Sequence, residues 1–122
     1  NQDLIVVVFV ASRAASLLVF DGKPVLAPIA GTSLSFAVNT NWDVFFDRKA
    51  SAWYWLDDGF WLTAKDVSGP WSPAGPLPAA FGSLPDDASF AAVKRQIPGR
   101  AIAAADVPTI FVSTAPAEII AT

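Results

Sequence analysis

The chain has 122 residues, 53% of them hydrophobic and 16% charged, with a net charge of −3. That length and apolar content suffice for one buried core and exclude an intrinsically disordered chain. Its 8 basic residues form no run longer than the pairs Arg48-Lys49 and Lys94-Arg95, so there is no phosphate-binding stripe and nucleic acid is excluded as a partner.

In chain order, residues 4–10 (LIVVVFV) form a continuous β-branched and aromatic run, as expected of a strand covered on both faces. With Ala11 it is the longest apolar run, far short of the ~20 residues of a membrane span. Residues 16–20 are a second strand, and Asp21-Gly22 turns the chain into a third over 25–29. After Gly31-Thr32, residues 34–38 (LSFAV) alternate as a half-buried strand should, and Asn39-Thr40-Asn41 breaks the pattern.

A three-stranded meander follows: 43–47 (DVFFD), 52–56 (AWYWL) and 60–64 (FWLTA). Asp58-Gly59 suits a type I′ turn, whose two central residues both need positive φ. A two-residue turn there sets Asp57 opposite Phe60, Leu56 opposite Trp61 and Trp55 opposite Leu62. Trp53, Trp55, Phe60 and Leu62 then share one face, and Tyr54 and Trp61 the other. Residues 68–85 are proline-rich, which disfavours helix and most ladder pairing and predicts an extended wrap over the meander. Asp86-Asp87 with Phe90, Val93 and Ile97 at helical spacing predict a short helix over 87–95, stopped by Pro98-Gly99. A second helical turn is expected within 100–106, and residues 109–113 return to strand. The expected fold is mainly β: an antiparallel sheet with a three-stranded meander, a proline-rich wrap and one or two short helices.

Residues 8–18 match residues 110–120 at an offset of 102, with phenylalanine, valine and alanine identical and the other apolar positions kept in kind. Such a repeat is the pattern of a tandem array, the alternative being two similar hairpins within one domain. The expected organisation is one β-rich unit over 1–108 and a strand segment over 109–122 resembling the start of a following unit. Val8, Phe9 and Val10 and their counterparts Ile110, Phe111 and Val112 are then candidates for self-association through strand edges. The chain starts at Asn1 rather than methionine, so an excised or processed fragment is expected, with any export signal upstream.

With 0 His and 0 Cys there is no Ser-His or Cys-His nucleophile system, thiolate metal site or disulfide. Carboxylates remain: Asp43, Asp47, Asp57, Asp58 and Asp66 surround the meander, where caps and turns are their ordinary work. A glycosidase pair among them is the weaker reading, and no enzyme is expected. Asp57-Asp58 and Asp86-Asp87 lack the spacing of a calcium loop, so neither metal nor cofactor is expected. The aromatic cluster points to ligand chemistry, because sugars stack apolar C–H faces on indole and phenol rings. Tyr54 and Trp61 are the expected exposed pair, with Trp71, Asp57 and Asp58 beside them. The competing role for each ring is core.

An ordered series of segments adds a resemblance. It comprises LLVFDGKP at 17–24, PIAGT at 28–32, Asn39-Thr40, DVFFD at 43–47, Gly59-Phe60-Trp61, Gly69-Pro70-Trp71, Ile97-Pro98-Gly99 and Val107-Pro108. Together these are similar to the repeated unit of large, uncharacterised bacterial exported proteins, commonly labelled as similar to carbohydrate-binding modules of the family V/XII type. The part similar to true chitin-binding modules covers about 53–71 and lacks their adjacent tryptophans. The resemblance implies an extracytoplasmic location and a non-catalytic module, with neighbouring repeats or further copies as partners. A polysaccharide is the alternative partner.

Overall fold

Asp58 and Gly59 take φ of 50° and 82°, forming the two-residue turn that the Asp-Gly pair favours. The turn joins two strands in the register read from the sequence, with Asp57 opposite Phe60 and Leu56 opposite Trp61. In this computed structural model, which describes residues 15–115, the hairpin is the centre of a six-stranded antiparallel sheet. Its strands are β2 (Leu26–Pro28), β3 (Leu34–Ala37), β4 (Asp43–Asp47), β5 (Ala52–Asp57), β6 (Phe60–Ala64) and β7 (Ser72–Pro73), in that spatial order. A separate two-stranded ladder pairs β1 (Ala15–Val19) with β8 (Thr109–Ser113) in parallel, Leu17 opposite Phe111. The fold is mainly β, and among the described residues no helix is long and apolar enough to cross a membrane.

The alternation along β5 and β6 sends rings to both faces of the sheet, and both faces are covered. On one, Phe45, Tyr54, Leu56 and Trp61 pack under the segment that follows β7, whose Phe81, Leu84, Phe90 and Val93 are buried against them. On the other, Val44, Trp55, Phe60 and Leu62 pack against Leu18 and Phe20 from the ladder and against Trp71. Trp55 has no exposed surface and lies between Trp42 and Trp71, ring centroids 5.6 and 5.3 Å away. A thin sheet of this size is stable only with apolar cover, and here two layers supply it.

The proline-rich segment wraps the sheet as expected but also contributes a short strand. Ala74 N–H donates to Trp61 C=O at 3.0 Å, so the neighbouring Pro73 turns its backbone outward, where it needs no N–H. A 3-10 turn over Ala79–Ser83 then carries Phe81 inward.

The helix expected over 87–95 is only the turn α1 (Ala91–Lys94). Asp87 explains the late start: its Oδ1 accepts from Ser89 N–H and its C=O from Phe90 N–H, a local turn that competes with helix. Asp86 instead pairs with the Lys94 ammonium. In the region 100–106 only a 3-10 turn over Ala104–Asp106 forms, because Arg100 N–H is already bound to Gly59 C=O at 2.8 Å. The predicted strand over 4–10, with Val8, Phe9 and Val10, lies outside the described residues.

Candidate functional site

The rings proposed to stack on a sugar are not at the surface. Tyr54 is 9% exposed, Trp61 4% and Trp71 9%. Tyr54 and Trp61, expected as the exposed pair, stand edge-on to Phe81 at 5.5 and 5.1 Å between centroids. The expectation assumed that one face of the meander would stay open, and the segment bearing Phe81 closes it. Trp61 also spends its indole N–H on Gln96 C=O at 2.8 Å, and Trp71 its own on Val67 C=O at 3.0 Å. None of the three offers a free ring to a ligand.

Asp57 and Asp58 do meet at a cleft, of about 740 Å³, between the start of the β1–β8 ladder and the β5–β6 turn. Trp42, Asn41, Arg100 and Asp106 also line it. Asp57 is 3% exposed, and its Oδ2 accepts from Ser16 Oγ–H at 2.6 Å. Asp58 is exposed and binds the Arg100 guanidinium at 3.3 Å, while that guanidinium lies 4.8 Å from the centre of the Phe60 ring. Burial pushes the Asp57 carboxyl above the ordinary carboxylate range. Ser16 pulls it back, Asp58 pushes it further up and Arg100 pulls it down.

A raised carboxyl pKa means the folded state holds the proton more tightly. The stability contributed by Asp57 is therefore present in acid and lost as pH rises from the ordinary value of 3.8 through the raised one. Asp57→Asn keeps the shape and removes the titration. Between wild type and this variant, thermal melts across that window should show the variant gaining relative stability as pH rises, then a plateau. A flat difference would mean that Asp57 titrates as it does in the unfolded chain.

The second feature is the set of strand edges, each of which is a row of backbone donors and acceptors able to recruit another strand. At β2, Ile29 N–H and Val38 N–H bond across to Leu34 and Val25 C=O, so Leu26 and Pro28 face outward, and Pro28 has no donor. The exposed apolar side chains of Val25, Leu26 and Val38 sit beside this guarded edge. At β7, Pro73 does the same.

The far edge of β1 is closed by side chains instead. Asn41 acts as a surrogate strand residue: its Oδ1 accepts from Val19 N–H at 2.9 Å and its Nδ2 donates to Leu17 C=O at 2.9 Å. Trp42 Nε1 also donates to Leu17 C=O, and Thr40 Oγ1 to Val19 C=O.

The edge of β8 has no such guard among the described residues. Phe20 N–H donates to Ser113 C=O at 2.7 Å, and in a parallel ladder this turns Thr109, Phe111 and Ser113 toward β1. Ile110 and Val112 therefore direct their backbone groups away from the ladder while their side chains pack on the second core. The structure thus brings Ile110, Phe111 and Val112 together on β8, with Asp57 and Asp58 in a separate cleft.

Sequence reading missed Asn41, Trp42 and Arg100. Asn39-Thr40-Asn41 was legible only as a break, and nothing local tells a break from an edge cap. Among the described residues no group of three or more His, Cys, Asp or Glu side chains could hold a metal ion. Comparison with known protein families, curated proteins and solved structures finds no match for this chain.

Proposed function

We propose that the chain is a non-catalytic structural and interaction module of an exported, repeated protein, associating through strand edges. The observation that carries this reading is the contrast among edges: side chains or a proline guard β1, β2 and β7, and none of the described residues guards β8. Natural sheets blunt the edges they do not use, so an apolar strand that none of the described residues guards is the edge assigned to pairing. The match between residues 8–18 and 110–120 and the resemblance to exported repeat units support the same reading.

Deleting the tail after Val107 is not a clean test, because Ile110 and Val112 cover the second core. Two single prolines separate edge from core. Val112→Pro removes an outward N–H, while Phe111→Pro removes one that faces β1. Val112→Pro should abolish concentration-dependent association in sedimentation velocity while keeping a cooperative melt. Phe111→Pro should destabilise the domain by about 3 kcal/mol. A wild-type chain that stays monomeric into the millimolar range would defeat the proposal.

The alternative, a carbohydrate-binding module, is favoured by one observation: Asp57, Asp58 and half-buried Trp42 line the same cleft. Retention of the intact chain on an insoluble polysaccharide such as chitin, lost in Trp42→Ala, would support it.

A further inference from the structure

We propose that the sheet face beside the β4–β5 turn binds an acidic polysaccharide, with Arg48 on a uronate carboxylate and Phe46 and Trp53 under the sugar rings. This surface uses neither the strand edges nor the Asp57 cleft.

In the β4–β5 register Val44 stands opposite Trp55 and Phe46 opposite Trp53, and period-two alternation puts both pairs on one face. The first pair is buried in the second core with Leu18, Phe20 and Trp71. The second pair lies one step nearer the turn, where the cover thins. Phe46 and Trp53 are both half-buried, with ring centroids 5.0 Å apart. They continue into Ser35 on β3 and Ala64 on β6, which makes a row across the sheet.

Arg48 closes one end of this row. Its N–H donates to Ser33 C=O at 2.9 Å, which extends the β3–β4 ladder and sets its side chain on the face of Phe46. The guanidinium folds over β3: Nη1 donates to Leu34 C=O at 2.8 Å and to Ser35 Oγ at 2.6 Å, and Nη2 to Thr32 C=O at 2.8 Å. The charge is thus fixed in place before any ligand arrives, so little ordering remains to be done on binding. Among the described residues no carboxylate pairs with it. Its Nε–H and a second Nη2–H remain, a fork suited to both oxygens of one carboxylate.

Trp53 adds another donor. Trp42, Trp61 and Trp71 spend their indole N–H groups on backbone carbonyls, whereas among the described residues nothing accepts that of Trp53. The row therefore offers ring surface and donors. A uronate sugar matches it, with apolar C–H faces for the rings and acceptor oxygens for the donors. A peptide strand matches it less well, because it brings one backbone N–H for nearly every C=O and needs acceptors in return.

The net charge of −3 does not oppose a polyanion here, because charge is segregated along the strands. Exposed Arg48, Lys49 and Lys65 lie at this end, and Asp43, Asp57 and Asp58 at the other. Strand β5 has 6 residues, so the ends are about 17 Å apart, roughly twice the screening length of ~8 Å at physiological salt. Of the acids near the basic end, Asp47 is 2% exposed and Asp66 is bound by Ser68.

Native gels containing polygalacturonate should retard the intact chain. The fully methyl-esterified polymer should bind at least about tenfold more weakly, since a charged hydrogen-bonded pair is lost. Arg48→Gln should bind acid and ester alike. That comparison is made within one variant, so any loss of fold acts equally on both polymers. Phe46→Leu keeps apolar cover but removes a ring, and it should weaken both forms in the same proportion. Polyglutamate, which has carboxylates without sugar rings, should not retard the chain. Equal binding of acid and ester by the wild type would overturn the carboxylate assignment, and retardation by polyglutamate as strong as by polygalacturonate would overturn the sugar. Binding lost in Trp42→Ala but kept in Phe46→Leu would place the sugar at the Asp57 cleft and overturn this surface. No retardation by either polysaccharide at millimolar uronate would overturn the proposal outright, and leaves association through strand edges untouched.

Discussion

Replacing Phe81 with alanine should cost the domain about 3–5 kcal/mol, the range for emptying a buried aromatic site. Phe81 is 2% exposed and stands edge-on to Phe45, Tyr54 and Trp61, at 5.4, 5.5 and 5.1 Å between centroids. It is carried by the 3-10 turn over Ala79–Ser83, which has no strand ladder of its own and is tied down by Phe81 N–H to Pro78 C=O at 3.0 Å. The ring therefore anchors the wrap to the sheet as well as filling the core. Domains of this size are stable by about 5–15 kcal/mol in total, so the loss is a large fraction of the whole. Urea unfolding followed by tryptophan fluorescence reads it directly, with Trp61 beside the cavity as reporter. Phe81→Leu, which keeps most of the volume, should recover at least half. A loss below about 1 kcal/mol for the alanine variant would mean that the wrap closes the face without this ring.

Gly99→Ala should be nearly as damaging, for a backbone reason. Gly99 takes φ of 79°, and an added Cβ would sit 2.7 Å from Gly59 C=O, 2.9 Å from Trp61 Cδ1 and 3.0 Å from Gln96 C=O. Two of those three are backbone atoms already committed: Gly59 C=O accepts from Arg100 N–H at 2.8 Å, and Gln96 C=O accepts from Trp61 Nε1–H at 2.8 Å. A side chain at 99 must push the 96–100 segment off the β5–β6 turn and break this clasp. About 3 kcal/mol is expected, combining left-handed strain with lost hydrogen bonds. Gly22→Ala separates the two terms. It has φ of 86° but no atom within 4 Å of the added Cβ, so it should cost only the conformational penalty of about 1–2 kcal/mol. Equal melting temperatures for the two variants would show that the 96–100 segment yields without cost.

The meander was legible in the sequence because its information is local. Asp58-Gly59 specifies a two-residue turn, the turn fixes the register, and period-two alternation then decides which side chains share a face. The strand at Thr109–Ser113 was legible for the same reason, as a short β-branched run between a proline and polar residues. What alternation cannot state is what covers each face. Tyr54 and Trp61 were correctly placed together opposite Trp53, Trp55, Phe60 and Leu62, yet their burial depends on Phe81, about 20–30 residues away, through packing that has no sequence period.

The parallel pairing of β1 with β8 was illegible on the same grounds. Ala15 meets Thr109 across nearly the whole described chain, and no turn residue announces such a contact. The helix near Phe90 was over-read because spacing promised a face for the core. That face is used, through Phe90 and Val93, but Asp87 holds the preceding backbone in a local turn and limits the helix to Ala91–Lys94. The edges show the division most clearly. Pro28 and Pro73 guard their edges because a missing N–H is a property of the residue, but the strand that holds Pro73 was read in the sequence only as part of a wrap. Asn41 closes β1 only because the fold sets its amide beside Leu17 and Val19. The sequence determined the strands of the meander and which of their side chains shared a face. Tertiary structure alone decided what covers the faces of the meander and the edge of β1, because covering them needs groups distant in the chain to arrive at hydrogen-bonding or van der Waals distance.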